Sequence, residues 1–203
     1  MPEGDILRRA ARTLDAALAG QRLVRAELRW PSAAGVDLVG ATVLGTVPYG
    51  KHLFTRFDDG RSLHTHLRME GSWRLVRTGT PAAQARSPWV RAVLATAEWT
   101  AAGHRLGMLD VLRTEDEHTV VGHLGPDVLA DDFPGPGLAE ALRRVGERGD
   151  VPIAEVLLDQ RVCAGIGTLY AAESLYARRL WPWTPAGQVT DVPSLLMTAR
   201  RLM

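Results

Sequence analysis

The residues best suited to covalent chemistry sit at the start of the chain. Pro2 is followed by Glu3, and Lys51 is the only lysine among 24 Lys and Arg residues. Once Met1 is removed, Pro2 presents a secondary amine at the N-terminus. An α-amino group titrates near ~8, against ~10.4 for a lysine side chain, so far more of it is unprotonated at neutral pH. Such an amine attacks a carbon at the aldehyde oxidation level and forms an iminium. A carboxylic acid on the next residue supplies the proton that opens a ring or expels a leaving group. Taken alone, Met-Pro-Glu is also an ordinary chain start, so these residues need corroboration elsewhere.

Three further stretches bear on chemistry. The turn RVCAGIGTLYAAES, residues 161–174, carries Gly165 and Gly167 between two helical patterns. A dinucleotide loop must follow a strand, and a helix precedes this one. What remains is a helix–turn–helix whose backbone approaches a phosphate, with amides of the second helix as donors, or a glycine pair that only lets two helices pack closely. In LHTHLRMEGSW, His64 and His66 share a strand face. They read as a satisfied pair or as half of a metal site, the latter implying a metal-dependent β-barrel enzyme as a rival. Met69 closes that strand before Gly71, where an apolar side chain is either core or a wedge between bases. Lys51 follows Gly50 at the start of another strand.

These residues need a scaffold. GDILRRAARTLDAALAG reads as an amphipathic helix with Ile6, Leu7, Ala10, Ala11, Leu14, Ala17 and Leu18 on one face and Gly20 as its stop. From about Gln21 to Leu124, short alternating segments predict an antiparallel β-domain, with HTVVGHL as its last strand and Ala102-Gly103 as a turn. Residues 125–137, rich in Pro, Gly and Asp, read as a linker. Helical patterns follow: LAEALRRV, PIAEVLLDQ, TLYAAESLYARRL and PSLLMTARRLM. The expected fold is α+β, with a catalytic β-sandwich and N-terminal helix over 1–124, the linker, and an all-α domain over 138–203.

Composition narrows the class. Apolar residues make up 46% and charged residues 23% of the 203, the balance of a globular protein. No apolar run reaches the ~18 residues of a membrane span, and no signal peptide is visible, so a cytoplasmic location without a membrane partner is expected. The lone cysteine, Cys163, excludes an internal disulfide and a zinc site built on paired cysteines. A net charge of +1 leaves anion binding to local patches and backbone amides.

MPEGD, GKHL, THLRMEGSW, HLGPDVL and LLDQRVCAGIGTLYAAESL, in this order and spacing, resemble the formamidopyrimidine-DNA glycosylase / endonuclease VIII family, closest to its actinobacterial endonuclease VIII branch. The resemblance covers essentially the whole chain. It implies a helix-two-turn-helix module after the β-sandwich and a bifunctional, monomeric, nucleoid-associated repair enzyme acting on damaged DNA. Pro2 would attack C1′ of the damaged nucleotide, Glu3 would protonate the sugar, and Lys51 would contact phosphate and assist β (or β,δ) elimination. Arg68 and Met69 would fill the space left by the flipped base. His123 would contact DNA where relatives carry arginine, and Gly165, Gly167 and Thr168 would approach phosphate. Thr168 stands where the family has Asn, and Glu70 is an acid in a DNA-facing loop. The family's C-terminal zinc finger is absent from these 203 residues, which leaves no cofactor expected in this chain and suggests a truncation. A non-catalytic or lyase-only binder of abasic DNA is the alternative.

Overall fold

The computed structural model describes residues 2–203. Helix α1 (Gly4–Leu18) buries Leu7, Ala11, Leu14 and Leu18, a stripe at i, i+4, i+7 and i+11 that turns one face to the core. Ala19 ends it in an extended conformation and Gly20 follows at φ +73°. The Asp15 carboxylate accepts from Thr46 N at 2.9 Å, tying the helix to the sheet beneath it.

Eight strands form two antiparallel four-stranded sheets. β1 (Arg25–Leu28), β6 (Val90–Ala95), β7 (Trp99–His104) and β5 (Ser72–Arg77) form one, in that order; β2 (Val43–Tyr49), β3 (His52–Phe57), β4 (Arg61–His66) and β8 (Met108–Arg113) form the other. A single apolar core takes Leu53 and Leu63 from one sheet, Leu94 and Ala101 from the other, and the buried stripe of α1. This is the expected sandwich with its N-terminal helix.

Two local expectations fail. HTVVGHL is not a strand: α2 (Glu117–Val121) occupies it. Glu117 accepts hydrogen bonds from Arg56 and Ser62, which fixes the start of a helical turn against the sheet and overrides the strand preference of the β-branched residues. Ala102-Gly103 is not a turn but the interior of β7, opposite Val93 and Ala92 of β6. Gly103 is there for space, since a Cβ would lie 2.6 Å from Leu106 Cδ1. The real reversal lies within WVRAVLATAEW, where Thr96 N donates to Trp99 O at 2.8 Å.

Beyond β8 and α2 the chain is helical: α3 (Leu138–Gly146), α4 (Ile153–Leu158), α5 (Thr168–Ala177) and α6 (Val192–Leu202). Their own core joins Ile153, Ile166, Leu175, Leu195 and Leu196. Val128, Leu129 and Phe133, from the Pro- and Gly-rich segment over 125–137, are buried in it as well. Asp191 caps α6 by accepting from Ser194 N at 3.1 Å.

Candidate active site at the junction of the two cores

Three chain segments meet backbone to backbone where the sandwich joins the helices: the start of α1, the β2–β3 turn, and the turn between α4 and α5. Gly4 N donates to Gly165 O at 3.0 Å. Gly50 turns the chain between the paired residues Tyr49 and His52 at φ +55°, and a Cβ on it would fall 2.8 Å from the Cβ of Ala164. Gly165 itself lies at φ +103°. Only glycine satisfies both the left-handed backbone and the close approach. Tyr49 OH donates to Gly125 O at 3.0 Å, and Asp127 accepts from Gly50 N at 3.0 Å and Leu129 N at 2.9 Å, closing the junction. Burial pushes the Asp127 carboxyl up from the usual carboxylate range.

This packing brings Glu3 and Lys51 near each other. Glu3 is 3% exposed, and its carboxylate accepts from Gly167 N at 2.7 Å, Leu169 N at 2.7 Å and Tyr170 N at 3.4 Å. It thus satisfies donors that the first turn of α5 would otherwise leave open. Tyr170 OH in turn donates to Asp5 at 3.0 Å. Pro2, one residue earlier and partly exposed, is anchored by this clamp. Lys51 is buried close enough to feel the Glu3 charge. Burial pushes its ammonium group down, and the Glu3 carboxylate partly offsets this.

The expectation that the α5 amides and the turn glycines present themselves to phosphate changes here. Gly165 N donates to Gln160 Oε1 at 3.0 Å, and the Gly167, Leu169 and Tyr170 amides serve Glu3. Both glycines are buried, whereas Thr168 is exposed with its amide and hydroxyl free of intraprotein bonds among the described residues. Of the predicted turn donors, Thr168 is therefore the one left open to a ligand.

Behind Lys51 lies a cluster that sequence reading only half saw. His52 Nδ1 and His64 Nε2 are 2.9 Å apart with stacked rings, and His66 meets His52 edge-on at 5.1 Å between centroids. His66 Nδ1 accepts from Arg68 N at 2.9 Å. Burial holds His52 down to about 3 and His66 down to about 4, with neighbouring positive charge adding to both. His123 is exposed, near enough for its charge to act on His52. The missed member was His52. Its signal was the β3–β4 register, which pairs it with His66. Met69 stands 67% exposed at the tip of the β4–β5 loop, and Arg68 beside it has φ 51°.

Among the described residues, no group of three or more His, Cys, Asp or Glu is placed to hold a metal. Cys163 is free, fully buried, and its thiol is pushed well up by burial. These residues do not fit the family's zinc, and among the described residues no helix is long and apolar enough to cross a membrane.

An α+β architecture with a sandwich, a helical module and the Glu3 clamp at their junction defines a class, and comparison with known proteins identifies it. The formamidopyrimidine-DNA glycosylase N-terminal domain matches residues 1–121 and the formamidopyrimidine-DNA glycosylase H2TH domain matches residues 124–200. The chain belongs to the formamidopyrimidine-DNA glycosylase / endonuclease VIII family. It is 45% identical over 189 residues to the probable endonuclease 8 2 of Streptomyces coelicolor, covering 93% of this chain and 67% of that protein. It is 39% identical over 203 residues to the DNA-(apurinic or apyrimidinic site) lyase Nei2 of Mycolicibacterium smegmatis, covering 100% of this chain and 77% of the relative. The fold superposes with a TM-score of 0.81 on Lactococcus lactis formamidopyrimidine-DNA glycosylase bound to abasic-site DNA, at 21% identity, covering 98% of this chain and 78% of that one.

Proposed function

We propose that this protein is a base-excision-repair DNA glycosylase with abasic-site lyase activity, and that Pro2, Glu3 and Lys51 carry the chemistry. The observation that supports the reading is the clamp of Glu3 on α5, with Pro2 one residue upstream of it and Lys51 near enough to feel the Glu3 charge.

In this reading the Pro2 nitrogen lone pair attacks C1′ of a flipped-out nucleotide. The C1′–base bond breaks, the base taking up the proton the amine gives up, and Glu3 protonates O4′ so that the C1′–O4′ bond opens and an iminium forms between Pro2 and C1′. The resulting iminium acidifies the C2′ hydrogen. Its removal expels the 3′ phosphate in β-elimination, and water then hydrolyses the iminium to release the protein. Lys51 is the cation that steadies the phosphate of the cleaved strand. Flipping costs roughly a few kcal/mol, least at a damaged pair. Met69 occupies the vacated space and Arg68 faces the widowed base. Thr168 contacts backbone phosphate through its amide and hydroxyl, replacing the longer Asn reach, while Gly165 and Gly167 shape the turn. His123, exposed, contributes a further phosphate contact. We place the enzyme as a monomer with chromosomal DNA in the bacterial cytoplasm.

The test is sodium borohydride trapping on an abasic oligonucleotide beside excision from an oxidised-base duplex. Both activities are expected. Trapping without excision supports the lyase-only reading, and binding without trapping supports a non-catalytic binder.

A further inference from the structure

Glu70, the acid that looked out of place in a DNA-facing loop, is not free in the structure. It pairs with Arg105, and the Arg105 guanidinium lies over the Trp89 ring, 4.3 Å from its centroid. The two loops that meet there, 67–71 and 104–107, are interlocked. Gly107 N donates to His66 O at 2.9 Å, and the backbone of Gly107 leaves room only for the Arg68 side chain beside it. Each loop carries a non-glycine residue in the left-handed region, Arg68 at φ 51° and Arg105 at φ 47°. That conformation is disfavoured and needs the surrounding contacts to hold it. A cavity of ≈ 340 Å³ opens between them, bordered by Trp30, Met69, Trp89 and Arg105.

We infer that Glu70 is a positioning residue that acts as a catch on the Met69 wedge. It occupies on Arg105 the place a DNA phosphate takes. The same bond restrains the loop tip, because Glu70 is bonded in sequence to Met69. The side chains of Arg105 and Glu70 are 45% and 65% exposed, so their pairing is weak and exchangeable. When a duplex phosphate reaches Arg105, the carboxylate is displaced and its negative charge turns away from the DNA. The loop is then free to drive Met69 into the stack. Trp89 keeps the guanidinium flat and oriented through the exchange. The consequence is selectivity: undistorted DNA must open the catch and also unstack a pair, whereas a lesion has already lost the second cost.

This inference rests on the reading that the chain binds damaged duplex DNA, and the experiment separates the two. Affinities for an intact duplex and for one carrying a stable abasic analogue are measured for the wild type, E70Q, R105A and E70Q/R105A. E70D serves as the variant that keeps the charge, and the Trp89 contribution to emission is taken from the difference with W89F. E70Q is expected to tighten intact-duplex binding by roughly two- to fivefold, the range an exposed ion pair supports, and to narrow the preference for the abasic analogue. E70D should keep wild-type preference, and E70Q should have no effect in the R105A background. DNA should change Trp89 emission in the wild type and not in R105A. Equal tightening by E70Q with and without Arg105 would mean simple charge repulsion and overturn the catch. A wild type that binds neither duplex overturns the DNA reading and the catch with it.

Discussion

At the scale of single residues, Glu3 does two jobs with one carboxylate. Its two oxygens accept three backbone N–H groups from the first turn of α5 and the residue before it, which sets the position of the amine one residue upstream. A glutamine there offers a single acceptor oxygen and turns an NH2 toward a backbone donor. Glu3→Gln is therefore expected to lower stability by about 1–3 kcal/mol, the cost of an unmet buried donor. It should also slow excision of an oxidised base by ~10²–10⁴-fold while leaving borohydride trapping on a preformed abasic site detectable. Urea denaturation and parallel excision and trapping assays check the two halves. Equal loss of both activities would assign Glu3 a scaffold role alone. For Lys51, replacement by glutamine removes the charge and keeps a polar end on a side chain one methylene shorter. Strand cleavage at an abasic site should fall by at least about tenfold while the trapped adduct still forms, since the proposed chemistry puts the adduct on Pro2.

At the scale of elements, the site depends on a turn more than on any helix or strand. Gly50 holds a left-handed backbone within 2.8 Å, for an added Cβ, of Ala164. Gly50→Ala is expected to cost about 1–3 kcal/mol and to reduce strand cleavage beyond what that loss explains, since it shifts Lys51 away from Glu3. Thermal unfolding compared with cleavage under fully folded conditions measures both. The helices α1 and α3 to α6 and most strands were legible because their apolar residues repeat at the period of the element that buries them. HTVVGHL was misread because β-branched residues favour strands while the Glu117–Arg56 and Glu117–Ser62 contacts, invisible along the sequence, hold a helical turn. The proposed trio of Pro2, Glu3 and Lys51 was singled out by residue type. The clamp that positions it was not, since Glu3 and Gly167 are 164 residues apart. His52 escaped notice for the same reason as any cross-strand partner: only the register places it against His64 and His66.

At the scale of the whole molecule, the buried imidazoles make stability depend on pH. Burial holds His52 down to about 3 and His66 down to about 4 in the folded protein, well below a solvated imidazole at ~6.5. The unfolded chain therefore binds protons that the folded one refuses. Their contribution is fully present above about pH 6.5 and is lost as pH falls toward 4, where unfolding is favoured by proton uptake. Asp127, pushed up by burial, works in the opposite sense and only in the carboxylate range. The urea midpoint is expected to be lower at pH 5 than at pH 7.5, with the difference reduced in His52→Asn. A midpoint unchanged between those values would mean the histidines are solvated.

The proposed chemistry stands or falls on the N-terminal amine. The most direct measurement is borohydride reduction of the protein with an abasic oligonucleotide, followed by peptide mass spectrometry of the cross-linked product. The sugar fragment is expected on the nitrogen of Pro2, with Met1 absent, and no adduct should form when the terminus is acetylated. An adduct on Lys51, or none at all while the DNA remains bound, would contradict it.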